Sequence, residues 1–394
     1  MAAEARHWPA AVGPWLGLGA APAMLTLGAA MASRHGGAVP LAGLALGGLL
    51  MAALLTAQGS LGLRPPLGDG GTLTEVAPAY LSARSRVTLA VILALAMVGW
   101  NGFNVGLGGA SLATVTGLPG PLGALALGAL VFAVSFASPR LGNRISILTT
   151  LCAIALVAFC VSRLSPSSTP VTLSGVDSST AIAADIAALG GYIAVFAVRA
   201  PDFTHGLARR RDLAWCVGLL VVPALCVAIA GIGIWLRTGN SDVVAVLAQS
   251  EGIAAYGNLF VTLAVFTPAL TTTYSGALAI RSVLPRVAPA WGMLAVAVLG
   301  GFLAVARFDT YLLPWLAILA AVLPPLIVPM ATEAVRRRRG LPARIVPAWT
   351  WMPAGAVATI LTALGFLAAP VAGLLLAAAL TTAAHTRRAS SRSL

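Results

Sequence analysis

Residues 87–109 read VTLAVILALAMVGWNGFNVGLGG, a run without one charged side chain. A helix needs about 20 apolar residues to cross a hydrocarbon core of roughly 30 Å, so this run is long enough to span a bilayer. Similar runs repeat along the chain, and we place twelve spans at 13–32, 38–57, 87–109, 118–137, 145–163, 180–198, 213–235, 256–279, 290–306, 311–332, 350–366 and 367–384. Because backbone groups in lipid must be hydrogen-bonded internally, the sequence predicts an all-α integral membrane protein.

The composition supports the same class. Of 394 residues, 59% are hydrophobic and only 9% are charged, which leaves too little polar surface to solvate a globular protein of this size. Arg6 precedes an apolar run that ends near Ser33, a pattern that a signal peptide would also show. The length of that run and the eleven spans after it favour a first membrane helix instead.

The arginines predict the orientation. With the N-terminus in the cytoplasm, 20 of the 24 basic residues fall on cytoplasmic links and tails, and the four on the opposite side are Arg34, Arg163, Arg237 and Arg307. This asymmetry is the positive-inside pattern, and an even number of spans returns the C-terminus to the cytoplasm. The net charge of +13 is therefore an orientation signal, and no nucleic-acid partner is expected. We expect a multi-pass protein of a cell membrane, the bacterial inner membrane in particular.

Missing residue types exclude several chemistries. The chain contains no lysine, so it has neither a Walker A lysine nor a Schiff-base lysine. Its four histidines lie in predicted tails or loops, and its eleven acidic residues lie at the ends of the spans. A membrane-embedded enzyme would need catalytic groups at depth, so we expect no enzyme, no cofactor and no metal beyond a possible sodium ion. The absence of ionisable residues at depth also favours a neutral or weakly polar substrate.

Glycine and proline interrupt two spans. The first span contains Gly17-Leu18-Gly19-Ala20-Ala21-Pro22, and the sixth contains Gly190-Gly191-Tyr192. Glycine costs a helix about 1 kcal/mol and proline removes a hydrogen bond, so breaks near Gly19–Pro22 and near Gly190–Gly191 are expected. Interrupted helices at matching positions of two halves indicate a transporter binding site. Close packing of helices through small residues is the alternative explanation.

The third span carries polar and aromatic side chains at depth. Trp100 and Asn104 are four residues apart and therefore share one helix face, with Gly102 between them. An aromatic ring beside an amide suits a flat heterocycle, which can stack on the ring and bond through its edge. A packed tryptophan, with Asn101 and Asn104 bonding neighbouring helices, is the alternative.

The eighth span carries a stripe of hydroxyl groups. Thr267, Thr271 and Ser275 recur at four-residue intervals, and Pro268 frees the carbonyl of Ala264. Hydroxyl and free carbonyl oxygens are ligands suited to a desolvated sodium ion. Threonines that bond their own helix carbonyls would give the same pattern without an ion.

In order and spacing, these motifs resemble the nucleobase–cation symporter family of the purine–cytosine permease type. The motifs that carry the resemblance are Trp100-x-Gly102-x-Asn104, the link Gln58–Arg64, Gly191-Tyr192 followed by Asp202, Thr271-Thr272, and Pro324–Pro329. The chain departs from the family at Tyr192, where sodium–hydantoin members have tryptophan. It also departs after Thr271-Thr272, where Thr273 or Ser275 replaces the asparagine common in cytosine permeases.

The resemblance implies a LeuT-like fold. It would form one polytopic domain over 1–394, with five-helix repeats at 13–163 and 180–332, two peripheral helices within 350–384 and a cytoplasmic tail at 385–394. The implied substrate is a nucleobase-like heterocycle such as cytosine, taken up with Na⁺ or H⁺. Trp100 and Tyr192 would enclose the ring from both sides. The implied substrate-binding residues are Trp100, Asn104, Gly191, Tyr192, Ser275 and Gly19, and the implied ion-binding residues are Thr271, Thr272, Gly19 and Pro22.

Two alternatives stay open. An amino-acid permease of the same fold would need a carboxylate cradle at the break in the first span, which Gly17–Gly19 could supply. A membrane-embedded enzyme or an assembly subunit is the alternative from another class, although no deep catalytic group supports an enzyme.

Overall fold

The structure is a computed structural model. It describes residues 6–136, 139–163, 179–248 and 256–390. Within these ranges the regular elements are helices, and the backbone bridges Arg6–Leu207 and Leu81–Val346 are isolated. The helices are α1 Val12–Gly19, α2 Ala23–Arg34, α3 Leu41–Gly59, α4 Leu73–Tyr80, α5 Ala83–Thr116, α6 Gly120–Val134, α7 Pro139–Arg163, α8 Ser179–Val198, α9 Ala200–Thr204, α10 Arg210–Thr238, α11 Val243–Ala248, α12 Gly257–Ala264, α13 Phe266–Val283, α14 Pro289–Val305, α15 Leu312–Val322, α16 Pro324–Arg338, α17 Met352–Ala363 and α18 Ala369–Ser390.

Their lengths and hydropathy identify a multi-pass membrane protein. In the described residues, seven helices, counted across their kinks, are long and apolar enough to cross a membrane. Four shorter apolar helices accompany them at Gly120–Val134, Ile147–Ala158, Pro289–Val305 and Ala369–Ala384. The all-helical membrane architecture is therefore confirmed, while the count of twelve spans stays a prediction.

The first span is broken where the sequence predicts it. α1 ends at Gly19 and α2 begins at Ala23, immediately after Pro22. Neither the Gly19 nor the Ala20 carbonyl accepts a backbone hydrogen bond across this break in the described chain. Proline lacks the N–H that would continue the helix, so the chain turns here and leaves carbonyl oxygens available.

The predicted break at Gly190–Gly191 is wrong. α8 passes through both glycines and ends at Val198, and α9 starts beyond Arg199 with Pro201 in its first turn. A Cβ at position 191 would overlap the carbonyl of Leu316 on α15. Glycine is needed here for close helix packing, because its cost of about 1 kcal/mol is too small to break a well-packed helix. The break lies instead beside the proline, which costs about 3 kcal/mol in a helix interior.

The packing order brings the broken first span to the middle of the bundle. α1 and α2 both lie against α10, while α8 lies against α3 and α15. α5 packs along α13 and α14. The first span (α1 and α2) therefore contacts the seventh (α10), and the sixth span (α8) contacts the second (α3). The division into two inverted repeats stays a prediction.

Asp185 lies near the start of its helix, as predicted, and forms a buried ion cluster there. This carboxylate lies on α8 with no solvent exposure. One of its oxygens pairs with the Arg34 guanidinium and the other contacts His35 Nε2 at 2.7 Å. The pair joins residues 151 positions apart at the end of α2 and on α8. The sequence shows only an acid near the start of a span, because its partners are supplied by tertiary packing.

Candidate substrate cavity

A cavity lies between α1, α2, α5, α8 and α13. Its volume is about 80 Å³, enough for several water molecules. Its lining combines aromatic rings, hydroxyl groups and one amide, and consists of Pro14, Gly17, Leu18, Ala21, Ala23, Met97, Trp100, Asn104, Tyr192, Val195, Phe196, Arg199, Phe203, Thr267, Pro268, Thr271, Thr272 and Ser275. We call this space the central cavity. Six of the sequence-predicted site residues line it: Trp100, Asn104, Tyr192, Thr271, Thr272 and Ser275.

The two predicted aromatic walls meet each other edge to face. The ring centroids of Trp100 and Tyr192 are 5.8 Å apart and their planes are inclined at 84°. Phe103 contacts Trp100 in the same way, at 5.7 Å and 88°. The rings are perpendicular, so the expected enclosure of a heterocycle from both sides is absent in this conformation. A flat ligand would stack on one aromatic ring and not between two.

Tyr192 also bonds the break in the first span. Its hydroxyl donates to the carbonyl of Leu18 at 2.5 Å. In an unbroken helix that carbonyl would accept from the backbone N–H at position 22, which is a proline. The tyrosine hydroxyl takes the place of the missing donor. This hydrogen bond ties α8 to α1.

The two asparagines of α5 have different surroundings. Asn104 lines the central cavity, and its Nδ2 donates to the carbonyl of Trp100 at 2.8 Å. Asn101 faces α13, where its Nδ2 donates to the hydroxyl of Thr273 at 2.9 Å and to the carbonyl of Ala269 at 3.3 Å. Asn101 therefore holds two helices together, whereas Asn104 is placed to contact a ligand.

The hydroxyl stripe of the eighth span faces the central cavity as its spacing indicates. Thr267, Thr271 and Ser275 are all lining residues, and Thr272 joins them. The span bends at Val265, between the end of α12 and the start of α13. The Thr272 hydroxyl donates to the carbonyl of Ala269 at 2.9 Å and accepts from Asn101 Nδ2 at 3.4 Å, which leaves it one lone pair for a further partner.

Three predicted site residues do not line the central cavity. Gly191 packs on α15, as described above. A Cβ at Gly19 would lie 2.6 Å from the carbonyl oxygen of Leu220, so this glycine permits close contact with α10. Pro22 caps α2, and the neighbouring lining residues are Ala21 and Ala23. Gly191 therefore serves close packing alone, whereas Gly19 both allows close packing and ends α1 at the break.

Arg199 and two phenylalanines were not predicted as site residues. Phe196 and Phe203 stack in parallel, with centroids 4.5 Å apart, and both line the central cavity beside Arg199. Arg199 is only 8% exposed. The sequence had placed it among the arginines of a cytoplasmic link. Its spacing of seven residues from Tyr192 was the signal that could have found it, since seven residues return a helix to nearly the same face.

The central cavity continues toward the arginine-rich links. An adjoining space of about 480 Å³ shares Arg199, Phe203, Thr267, Thr271 and Ser275 with it and reaches Thr72 and Thr74 of the link before α5. We call this space the inner vestibule. A pocket on the opposite side, beside Asp242, Arg307 and Asp309, shares no lining residue with the central cavity. In this conformation the candidate site is therefore accessible from the side predicted to be cytoplasmic.

Comparisons with solved structures identify the fold. The structure resembles a closed conformation of Mhp1, a nucleobase-cation-symport-1 family transporter with bromovinylhydantoin bound, with a TM-score of 0.73 and 20% identity over 99% of this chain and 94% of that chain. It resembles a manganese transporter of Eremococcus coleocola with a TM-score of 0.61 and 12% identity, covering 93% of this chain and 84% of that one. A Na⁺-coupled sialic acid symporter matches with a TM-score of 0.57 and 11% identity, covering 93% and 89%. No family model matches the sequence, and no curated protein matches it.

The matched proteins are secondary transporters that share this helix arrangement across nearly the whole chain. The protein accordingly has a LeuT-like fold, as the sequence resemblance implied. A broken first span beside a central cavity is the arrangement in which such folds place their binding sites.

Proposed function

We propose that the protein is a secondary active transporter that imports a nucleobase-like heterocycle, cytosine or a related pyrimidine or purine, by cation symport. The observation that carries the proposal is the central cavity, where Trp100 and Asn104 of α5 face Ser275 of α13 beside the break in the first span. An aromatic ring, an amide and a hydroxyl provide stacking and hydrogen bonds for the edge of a flat polar ring. The likeness to Mhp1 with bromovinylhydantoin bound supports a ring-shaped substrate.

Trp100 is the proposed stacking surface. It is 7% exposed and is held by edge contacts from Phe103 and Tyr192, so its indole has a fixed orientation. A rigid aromatic surface lowers the entropy cost of binding a flat ligand. The Asn104 side chain bonds the Trp100 carbonyl through its amide nitrogen, which leaves its amide oxygen to accept from a ring N–H or an amino group.

Sodium is the proposed coupling ion. The hydroxyls of Thr271 and Thr272 line the same cavity as Ala21, and the carbonyls of Gly19 and Ala20 lie at the break next to it. Hydroxyl and carbonyl oxygens are hard ligands that suit a desolvated Na⁺. Pro22 contributes by ending α1 and freeing these carbonyls, while Gly19 contributes its backbone oxygen. Proton coupling is the competing mechanism, and uptake measured with and without Na⁺ distinguishes the two.

The proposed location is a bacterial inner membrane, with both termini and the arginine-rich links in the cytoplasm. In that orientation the inner vestibule opens to the cytoplasm, where an imported substrate is released. The conformation described here would then be one that follows or precedes substrate release, and not one that receives substrate from outside.

Uptake into proteoliposomes that contain the purified protein tests the proposal. The panel contains labelled cytosine, uracil, hypoxanthine and leucine, each measured with and without an inward Na⁺ gradient. Saturable uptake of a nucleobase driven by Na⁺ is expected. Uptake of leucine alone would favour an amino-acid permease, and uptake of none would contradict a heterocycle transporter. Asn104→Leu should weaken nucleobase uptake, whereas Asn101→Leu, its matched control on the same helix, should lower protein stability.

A further inference from the structure

One face of α8 forms a continuous side of the central cavity. Tyr192, Val195 and Phe196 of α8 and Arg199, the residue directly after it, recur at helical spacing, and all four line the cavity. Seven residues of helix correspond to about 10 Å along its axis, so Arg199 lies about 10 Å from Tyr192 along α8, on the side of the inner vestibule. Of the residues that line the cavity in the described chain, Arg199 alone is charged.

The ion pair of Arg199 leaves part of the guanidinium unsatisfied. Nε and Nη2 both contact the same Asp202 oxygen, Oδ2, at 2.7 Å. The other oxygen of Asp202 accepts from the backbone N–H of Leu73 at 2.7 Å. Nη1 is buried and has no hydrogen-bond partner. Both carboxylate oxygens are therefore occupied, while the guanidinium keeps N–H donors to spare.

A buried guanidinium nitrogen without a partner is costly, and an anionic oxygen is the acceptor that satisfies it best. A neutral heterocycle needs stacking and neutral hydrogen bonds, which Trp100, Asn104 and Ser275 already offer. The Arg199 guanidinium at the opposite end of the same cavity adds a positive charge and spare N–H donors, which a neutral ring does not need.

We propose that Arg199 makes the central cavity selective for heterocycles that carry an anionic oxygen, such as a ring carboxylate. The ring would lie against Trp100 and Tyr192, and the anionic group would point along α8 toward the Arg199 guanidinium. This proposal rests on the heterocycle-transport function proposed above and replaces the neutral substrate that the sequence suggested. Arg199 is then a residue that determines specificity.

A matched pair of probes tests it. Orotate is uracil with a carboxylate on the ring, so the two ligands differ by the anionic group alone. Their dissociation constants are measured by calorimetry with the purified full-length protein in detergent, for the wild type and for Arg199→Gln and Arg199→Lys. We expect the wild type to bind orotate about tenfold or more tightly than uracil, the usual range for a hydrogen bond to a charged group.

The variants separate recognition from a structural role. Arg199→Gln should remove the preference for orotate, so that the dissociation constants of orotate and uracil approach each other. Arg199→Lys keeps the charge without the planar fork, so it should retain a reduced preference and serves as the second variant if Arg199→Gln does not fold. Equal binding of both ligands by the wild type, or an equal loss of both in Arg199→Gln, would overturn the proposal. Uracil bound while orotate is rejected would leave the transport function standing and refute the role of Arg199, whereas binding of neither ring would refute both.

Discussion

The hydrogen bond from the Tyr192 hydroxyl to the Leu18 carbonyl should stabilise the fold, because Pro22 cannot supply the backbone donor that this carbonyl would otherwise have. Tyr192→Phe removes the donor and keeps the ring. The Leu18 carbonyl would retain one weaker bond, from the backbone N–H of Ala21 at 3.1 Å, because Pro22 has no N–H to offer. Tyr192 is 2% exposed, so water cannot readily replace the lost donor. Leaving a buried acceptor short of a partner costs about 1–3 kcal/mol, and the remaining bond places the expected loss near the lower end, at about 1–1.5 kcal/mol.

A double-mutant cycle tests the cause of that loss. Pro22→Ala restores a backbone N–H at the position that would normally bond the Leu18 carbonyl. In this background Tyr192→Phe should lower the free energy of unfolding by only about 0.5 kcal/mol, which gives a coupling energy of about 0.5–1 kcal/mol between the two sites. The free energies are read from denaturant unfolding of the four proteins in lipid–detergent micelles, with slopes compared to check that the unfolded states match.

The control is ligand binding. Tyr192→Phe preserves the aromatic edge against Trp100, so nucleobase affinity should stay close to that of the wild type if the hydroxyl acts on the break alone. An equal destabilisation by Tyr192→Phe with and without Pro22 would show that the proline does not create the need for the tyrosine hydroxyl, and the reasoning would be wrong.

Three further predictions concern topology, stacking and coupling. Reporter fusions ending near Arg339 and near Gly239 should report opposite sides of the membrane, and a shared side would refute the twelve-span orientation. Trp100→Ala should weaken apparent nucleobase affinity about tenfold or more, because it removes a stacking contact of about 0.5–1.5 kcal/mol beyond the lost burial, while Trp100→Phe retains part of the affinity; unchanged uptake in Trp100→Ala would leave only a packing role. Thr271→Val should raise the Na⁺ concentration for half-maximal uptake severalfold, whereas Thr273→Val, which faces Asn101, should lower stability without that shift; uptake indifferent to Na⁺ but abolished by a protonophore would rule out the sodium assignment.

Local sequence was sufficient for the features that depend on chemistry within one helix. Hydropathy predicted a membrane bundle, because no other environment accepts so many uncharged runs of this length. Pro22 predicted the break in the first span. The four-residue spacing of Trp100 with Asn104, and of Thr271 with Ser275, predicted which side chains share a face, and both pairs line the central cavity.

Only the tertiary structure decided which faces meet. Gly191 has the sequence pattern of a glycine at a helix break, but it lies inside α8 against the backbone of α15, and Gly19, which does end α1, also lies against the backbone of α10. Tyr192 bonds a carbonyl 174 residues away, and Asp185 pairs with an arginine 151 residues away. Arg199 had the sequence pattern of an arginine in a cytoplasmic link, and the tertiary structure shows that it lines the cavity. Periodicity and proline chemistry act within a few residues, so they fix the helices and their faces. The partners of buried polar groups depend on how helices that are distant in sequence pack together, and the sequence of a single helix does not determine that packing.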